Sequence, residues 1–456
     1  MRTRPCLGSF ITFASLAACA SGTPAALVPG DGPTAAQSAK AQQELQAVAA
    51  EVQADIEKLR GVKFPKPVPV RVSDKAALLA YFKERAALET TPDREQFNET
   101  CAKLLGLVPE DMDLHAVTEA FFVSQIGGFY DPPSKTFHII DSFNAKLGRL
   151  IMSHELVHAL DDQLYDLDGT IRRLKDDTDA IGAYMSLCEG SATYTMTAWQ
   201  MGHMSSLDPS LLEELQDLTN ASTDGVPALV WKPAFASYFA GQTFVNAGAA
   251  RPKHQRGTDA PPAPSYTQQL ERAFRSPPAS TEQILHPEKY WDATQRDDPR
   301  TIEIDATRAP AGWTVLGTDT LGELHLALLT TPLAERTNVD AKNALAIMSL
   351  TYTNDAAAGW DGDRVVLLVN GDARFLQLVT AWDTEADADE FAKSVQAVWA
   401  EESKAGDARK SRHATLASDR VDAPGDAHVH CVTLTVFDAP VAGVSVPPPL
   451  PWKITR

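Results

Sequence analysis

The chain has 456 residues, of which 44% are hydrophobic, and a formal net charge of −19. Such a length suggests two or three domains, and the apolar content is that of an ordinary globular protein. The acidic balance excludes nucleic acid as a partner, because phosphate binding needs a basic patch.

Arg2 and Arg4 precede an apolar run from about Leu7 to Ala18, the charged and hydrophobic regions of an export signal. The run is too short to span a bilayer. It ends in Leu16-Ala17-Ala18-Cys19, which resembles a bacterial lipobox. The resemblance implies removal of residues 1–18 and acylation of Cys19; an ordinary signal peptide with an incidental Cys19 is the alternative. No later stretch has the apolar length of a transmembrane helix. The expectation is therefore an exported, membrane-anchored lipoprotein of the cell envelope. Ala20 rather than aspartate follows Cys19, which favours the outer membrane in a Gram-negative cell. Residues 19–38 are small, Pro- and Gly-containing and read as a flexible tether. Cys101, Cys188 and Cys431 match neither a zinc finger nor a disulfide framework and read as buried thiols.

Apolar residues recur at helical spacing from Ala39 to Arg60. Val68–Val72 reads as a strand, and Ser73-Asp74 caps a helix through about Ala87. His115–Gln125 is helical. Phe129–Asp131 and Thr136–Ile140 are strands joined by the turn Asp131-Pro132-Pro133-Ser134-Lys135. A helix follows from about Leu147 to Gln163, then a loop containing Asp166-Leu167-Asp168-Gly169. The acidic start Asp176–Asp179 opens a helix running through Glu189 to about Met201. Residues 251–264 form a Pro-rich loop. A boundary falls near residue 300. Beyond it come strands at Arg364–Val369, Phe375–Ala381 and His428–Val436, and a helix at Thr384–Trp399, with Trp360, Trp382 and Trp399 in a core. The tail Pro447-Pro448-Pro449-Leu450-Pro451 reads as extended and inert.

His154-Glu155-Leu156-Val157-His158 is an HExxH motif. On a helix the two histidines lie one turn apart on one face, where both imidazoles reach one Zn²⁺. Glu155 sits beside that metal, where a general base belongs. Histidine is scarce, at 11 in the chain, and Leu150, Ile151, Val157 and Leu160 give the segment a helical apolar stripe. The competing reading is a core helix with unrelated surface histidines. A catalytic zinc site takes three protein ligands and keeps one position open. No HExxHxxGxxH continuation exists, since Asp161-Asp162-Gln163 occupies that stretch. Glu189 is the best third ligand: it lies in the nearly uncharged helix Ile181–Met201, where a buried carboxylate needs a cation. A carboxylate facing solvent or an arginine is the alternative. Asp162, four residues after His158, is a candidate to orient a ligand histidine; a solvated carboxylate is the alternative. Asp166, Asp168 and Gly169 resemble a fragment of a calcium loop without the remaining ligands.

These residues resemble the gluzincins, the thermolysin-like clan of HExxH…Glu zinc peptidases. His154 and His158 match the histidine ligands, Glu155 the base and Glu189 the third ligand. The spacing from His158 to Glu189 is longer than is usual for thermolysin-like members. The chain is also similar to uncharacterised exported proteins of bacteria and archaea with patterns like Gly127-Gly128-Phe129-Tyr130-Asp131-Pro132, HELVHALDDQ, Glu189-Gly190-Ser191-Ala192-Thr193, Ser280–Pro287 and Gly359–Arg364.

The resemblance implies a zinc metalloendopeptidase acting on peptide or protein substrates, with an oxyanion donor among His286, Tyr194, Tyr184 and Tyr130. His286 is slightly favoured for its Ser-Thr-Glu-Gln…His-Pro setting; a structural role, with His286 satisfying a loop backbone, is the alternative. It further implies that the strand before the HExxH helix, Phe137–Ile140, pairs with an extended peptide. The expected fold is α+β: a zincin-like metallopeptidase domain over 39–300, largely helical with a small sheet, and a C-terminal α+β domain over 301–456. A catalytically inactive zincin-like lipoprotein acting as a binding module is the second reading. A structural lipoprotein with a fortuitous motif is the third.

Overall fold

The computed structural model describes residues 35–73, 80–81, 91–124, 128–140, 145–203, 223, 225–249, 265–332, 335–336, 350–404, 412–423, 426–440 and 443–455. The expected signal, Cys19, most of the tether, the body of the helix after Ser73-Asp74 and the loop 251–264 lie outside the described residues. The first part of the chain runs α1 (Ala35–Arg60), β1 (Val70–Ser73), α2 (Pro92–Leu104), α3 (Leu114–Ser124), β2 (Gly128–Asp131), β3 (Thr136–Ile140), α4 (Ala145–Tyr165), α5 (Leu167–Leu174), α6 (Thr178–His203), α7 (Ala228–Ala249), α8 (Tyr266–Arg275), α9 (Thr281–Leu285) and α10 (Glu288–Trp291).

The first sheet has the order β1-β3-β2, with β1 parallel and β2 antiparallel to β3. Lys135, in the left-handed region at φ 54°, closes the β2–β3 turn, and the Asp131 carboxylate accepts the Ser134 N–H at 2.9 Å. The expectation that Phe137–Ile140 offers a free edge fails, because β3 is the central strand. Its parallel partner β1 lies far upstream, and a pairing of that range leaves no local pattern to read.

Glutamines of α1 cover the outer side of β1. Gln46 donates to Val68 O and accepts from Val70 N, both at 3.1 Å. Gln53 accepts from Val68 N at 3.3 Å, and Gln42 donates to Val70 O. Among the described residues the other edge strand of this sheet is β2.

The expected loop at Asp166–Gly169 is instead the start of α5. Asp166 is its N-cap and accepts the Gly169 N–H at 3.3 Å. Leu167 and Ile171, one turn apart, are buried, so packing completes the helix. Asp168 pairs with Arg172 within it.

The second part comprises β4 (Thr301–Ile304), β5 (Thr314–Asp319), α11 (Gly322–Thr330), β6 (Trp360–Asn370), β7 (Ala373–Trp382), α12 (Glu385–Lys404), β8 (Arg412–Ala423), β9 (Asp426–Asp438) and β10 (Trp452–Thr455). An antiparallel sheet of order β5-β6-β7-β9-β8 forms its centre. Alternate residues of β7 serve two cores, as the period of a strand dictates. Leu376, Leu378 and Trp382 meet Phe391 and Val395 of α12. Phe375 packs with Trp313 and Leu450, while Val379 and Ala381 pack with Ile302 and Ile454. Trp360 and Trp382 are buried, and Trp399 packs against the same core.

Two features depart from the expected organisation. The division near residue 300 is crossed, because Phe97, Cys101, Leu104 and Leu105 of α2 and its C-cap belong to the core of the five-stranded sheet. α11 also serves both sides: Leu324 and Leu328 pack with the helices, Leu326 and Leu329 with the sheet. The Pro-rich tail is not inert. Leu450 is buried and exchanges two hydrogen bonds with Gln377, at 2.7 and 3.0 Å, and β10 pairs antiparallel with β4. The fold is α+β. No helix among the described residues is long and apolar enough to cross a membrane.

Candidate metal centre

Every residue of α4 from Ile151 to Asp162 is buried. Leu156, Val157, Ala159 and Leu160 fill the core shared with α1 and the small sheet. A helix so enclosed must find partners for each polar side chain it carries. His154, Glu155 and His158 are 3%, 1% and 9% exposed, and Glu189, arriving on α6, is 0% exposed.

Three ligand atoms converge. His154 Nε2 lies 3.1 Å from Glu189 Oε2 and 3.1 Å from His158 Nε2, and His158 Nε2 lies 3.5 Å from Glu189 Oε2. A four-coordinate zinc with bonds of about 2.0–2.1 Å separates its ligand atoms by about 3.3 Å. The donor set and its spacing therefore fit one small divalent cation. Glu189 Oε1 has no hydrogen-bond partner among the described residues. Burying a carboxylate this deeply without a cation costs on the order of several kcal/mol.

Glu155 points beside this triangle, and β2 holds it. Phe137 donates its N–H to Pro69 O on the β1 side. Tyr130, opposite Phe137 in the antiparallel pair, therefore turns its own N–H to the outer edge. That N–H donates to Glu155 Oε2 at 2.8 Å. Glu155 Oε1 has no partner among the described residues.

α7 supplies a further group. The ring of Tyr238 stacks on that of His154, with centroids 5.8 Å apart and planes at 22°. α7 reaches this position because it crosses α6 at paired glycines. A Cβ on Gly190 would lie 2.3 Å from Gly241 O, and one on Gly241 would lie 2.1 Å from Ser186 O. Tyr238 and these glycines were not legible as site residues. Gly190 follows Glu189 directly, and a glycine in mid-helix was the available signal.

Among the other expected residues, Asp162 accepts from Tyr130 Oη at 2.8 Å, Lys135 Nζ at 2.6 Å and Leu167 N at 3.1 Å. It fastens the β2–β3 hairpin and α5 to α4, and these bonds replace the expected one to a ligand histidine. The Tyr130 hydroxyl is thereby engaged away from the triangle. His286 gives its Nε2 to Glu323 Oε1 at 2.9 Å, a pairing that ties α9 to α11 and not to α4. Tyr194 stacks on Tyr266, and Tyr184 packs against Phe274. A second carboxylate group, Glu282, Asp297 and Asp383, surrounds the ammonium of Lys289 at 2.5, 2.9 and 2.9 Å, so a side-chain cation already occupies its centre.

Without a metal ion, His158 and Glu189 compensate one another. Burial raises Glu189, but His158 and His154 outweigh it and hold the carboxyl down to about 2. Burial lowers His158, but Glu189 outweighs it and holds the imidazole up to about 9. Burial lowers His154. Glu155 is pushed up to about 8, chiefly by burial. In the metal-free centre these shifts favour the protonated form of His158, beside ionised Glu189, and the protonated form of Glu155.

Ligation needs neutral imidazole, and a nearby cation favours ionised Glu155. Zinc uptake at pH 7 is expected to release at least one proton per ion, and affinity should rise with pH up to about 9. Calorimetric titration in buffers of different ionisation enthalpy measures this. Zero proton release at pH 7 would contradict the assignment.

Together these features define an α+β protein with three buried residues able to hold a metal ion on two crossed helices, and a carboxylate beside them. A family model described as a domain of unknown function (DUF8575) matches residues 307–444, outside this centre. No curated protein matches the chain. A solved structure from Chloroflexus aurantiacus, described as "a putative hydrolase with a novel fold", is similar over 59% of this chain and 93% of its own, at 19% identity and a TM-score of 0.40. A likeness at that level says nothing about chemistry.

Proposed function

We propose that this chain is a zinc-dependent endopeptidase of the HExxH…Glu type, with His154, His158 and Glu189 as ligands and Glu155 as general base. The observation that carries the reading is the triangle of ligand atoms, 3.1, 3.1 and 3.5 Å on its sides, next to a carboxylate with one oxygen unpartnered. A bound zinc ion would supply Lewis acidity and bring the pKa of a water in its open position toward about 7. Glu155 takes the proton of the attacking water and returns it to the leaving amine. The Tyr130 N–H fixes Glu155 Oε2, so Oε1 is the oxygen that moves the proton. Tyr238 aligns His154 by stacking.

The small sheet with α4 and α6 is read as a zincin-like core, in which β2 takes the part of the edge strand. The amino-terminal pattern supports a reading in which the protein is exported to the cell envelope and held by lipid at Cys19.

Digestion of a peptide library by the soluble form starting at about residue 25 tests the proposal. Cleavage lost with a chelator and restored by zinc is expected. Zinc binding without any cleavage would favour the inactive binding module.

A further inference from the structure

We infer that Arg60 is a positioning residue of the metal centre: it holds α4 and α6 in the mutual setting at which the three ligands converge. The inference rests on the ligand assignment above and adds the element that enforces it. Arg60 is the last residue of α1 and is 1% exposed. Its Nη2 donates to Asp161 Oδ1 at 2.6 Å, and its Nη1 donates to Ser191 Oγ at 3.2 Å. Ser191 Oγ in turn donates to Asp161 Oδ2 at 2.6 Å. Asp161 is three residues beyond His158 on α4, and Ser191 is two beyond Glu189 on α6.

One guanidinium thus joins the two ligand-bearing helices just past their ligands. Side-chain contact at the ligands alone leaves each helix free to roll about its axis. A second contact, one turn away on α4 and adjacent on α6, removes that freedom. The fork of an arginine suits this task, because its nitrogens are fixed in one plane and address two partners together. The pair is braced from outside as well. Thr267 Oγ1 donates to Arg60 O at 2.6 Å, and Tyr266 Oη donates to Ser191 O at 3.2 Å, so α8 closes the same junction.

Stability alone gives a poor account of this arrangement. A fully buried ion pair is commonly no more stabilising than apolar residues of similar volume, whereas removal of one partner is strongly destabilising. Fixed geometry is the gain that remains.

The test measures zinc affinity and thermal midpoint together on the full chain. Arg60→Met, which strands Asp161, is expected to lose both. Arg60→Met/Asp161→Leu removes both charges; it is expected to recover the thermal midpoint but to keep a zinc affinity at least tenfold below wild type. The visible band of the Co²⁺-substituted double variant, diagnostic of coordination geometry, should weaken in step. Arg149→Ala breaks an exposed ion pair between the same two helices α1 and α4, formed with Glu51 at 3.0 Å, and should change neither quantity. A double variant with wild-type affinity and cobalt spectrum would overturn the inference, leaving the ligands intact. A wild-type chain that binds no zinc would overturn the ligand assignment instead.

Discussion

Replacing Glu155 by glutamine is expected to cut peptide hydrolysis steeply while leaving zinc bound and the fold intact. The substitution keeps the size of the side chain. The amide oxygen can still accept the Tyr130 N–H, which reaches Glu155 Oε2 at 2.8 Å in the native chain. The loss is confined to the second oxygen, which has no partner among the described residues and which as an amide can no longer take a proton. Positioned general acid–base groups contribute about 10²–10⁴-fold, so turnover should fall by about a thousandfold at unchanged metal content. Near-wild-type turnover would place the base elsewhere. Loss of metal along with activity would show that Glu155 supports the ligands instead of the water.

The second large effect belongs to Gly190→Ala. Alanine at a mid-helix glycine ordinarily gains about 1 kcal/mol of helix propensity. Here the added Cβ would stand 2.3 Å from Gly241 O and 2.4 Å from Gly241 C. Those are backbone atoms of α7, and they yield only if the two helices separate. Overpacking of this kind costs about 3 kcal/mol or more, which exceeds the propensity gain. Because Gly190 adjoins Glu189, zinc affinity should fall together with stability. Denaturant unfolding of the metal-free protein isolates the packing cost. Gly202→Ala on the same helix, where an added Cβ meets nothing within 4 Å, is the control and should be neutral or slightly stabilising. An unaffected midpoint in Gly190→Ala would mean that α6 and α7 do not cross so closely.

The parts of the centre that were legible in the sequence are those written in local periodicity. HExxH on a helix states its own geometry, because residues four apart share a face. Glu189 was legible through its surroundings: a carboxylate in a long uncharged helix needs compensation, and its 0% exposure agrees. The β2–β3 hairpin followed from Asp131-Pro132-Pro133-Ser134-Lys135 between two short apolar runs.

What escaped is set by contacts between distant segments. Arg60 meets Asp161 across 101 positions and Ser191 across 131, and no local pattern reports such a pair. Tyr238 sits among apolar and small residues of α7 and reads as core until the crossing with α6 is known. The edge position escapes the sequence because β3 pairs in parallel with a strand far upstream, Val70 opposite Phe137. The boundary near residue 300 missed Phe97, whose ring would lie 2.7 Å from a Cβ on Gly317. Only the folded chain brings that helix to the C-terminal sheet. His286 was favoured for its sequence setting, yet it is bound to Glu323, a residue that carried no signal of its own.

On the proposed reading, His154, His158 and Glu189 together hold one divalent cation. Elemental analysis of the purified chain, after dialysis against a trace of zinc, tests it most directly. Ligation by all three side chains predicts about one zinc per wild-type chain and less than about a tenth of that in His154→Ala and in Glu189→Ala, each checked for retained fold by circular dichroism. A folded wild-type chain that takes up no metal, or a Glu189→Ala chain that retains its full complement, would contradict it.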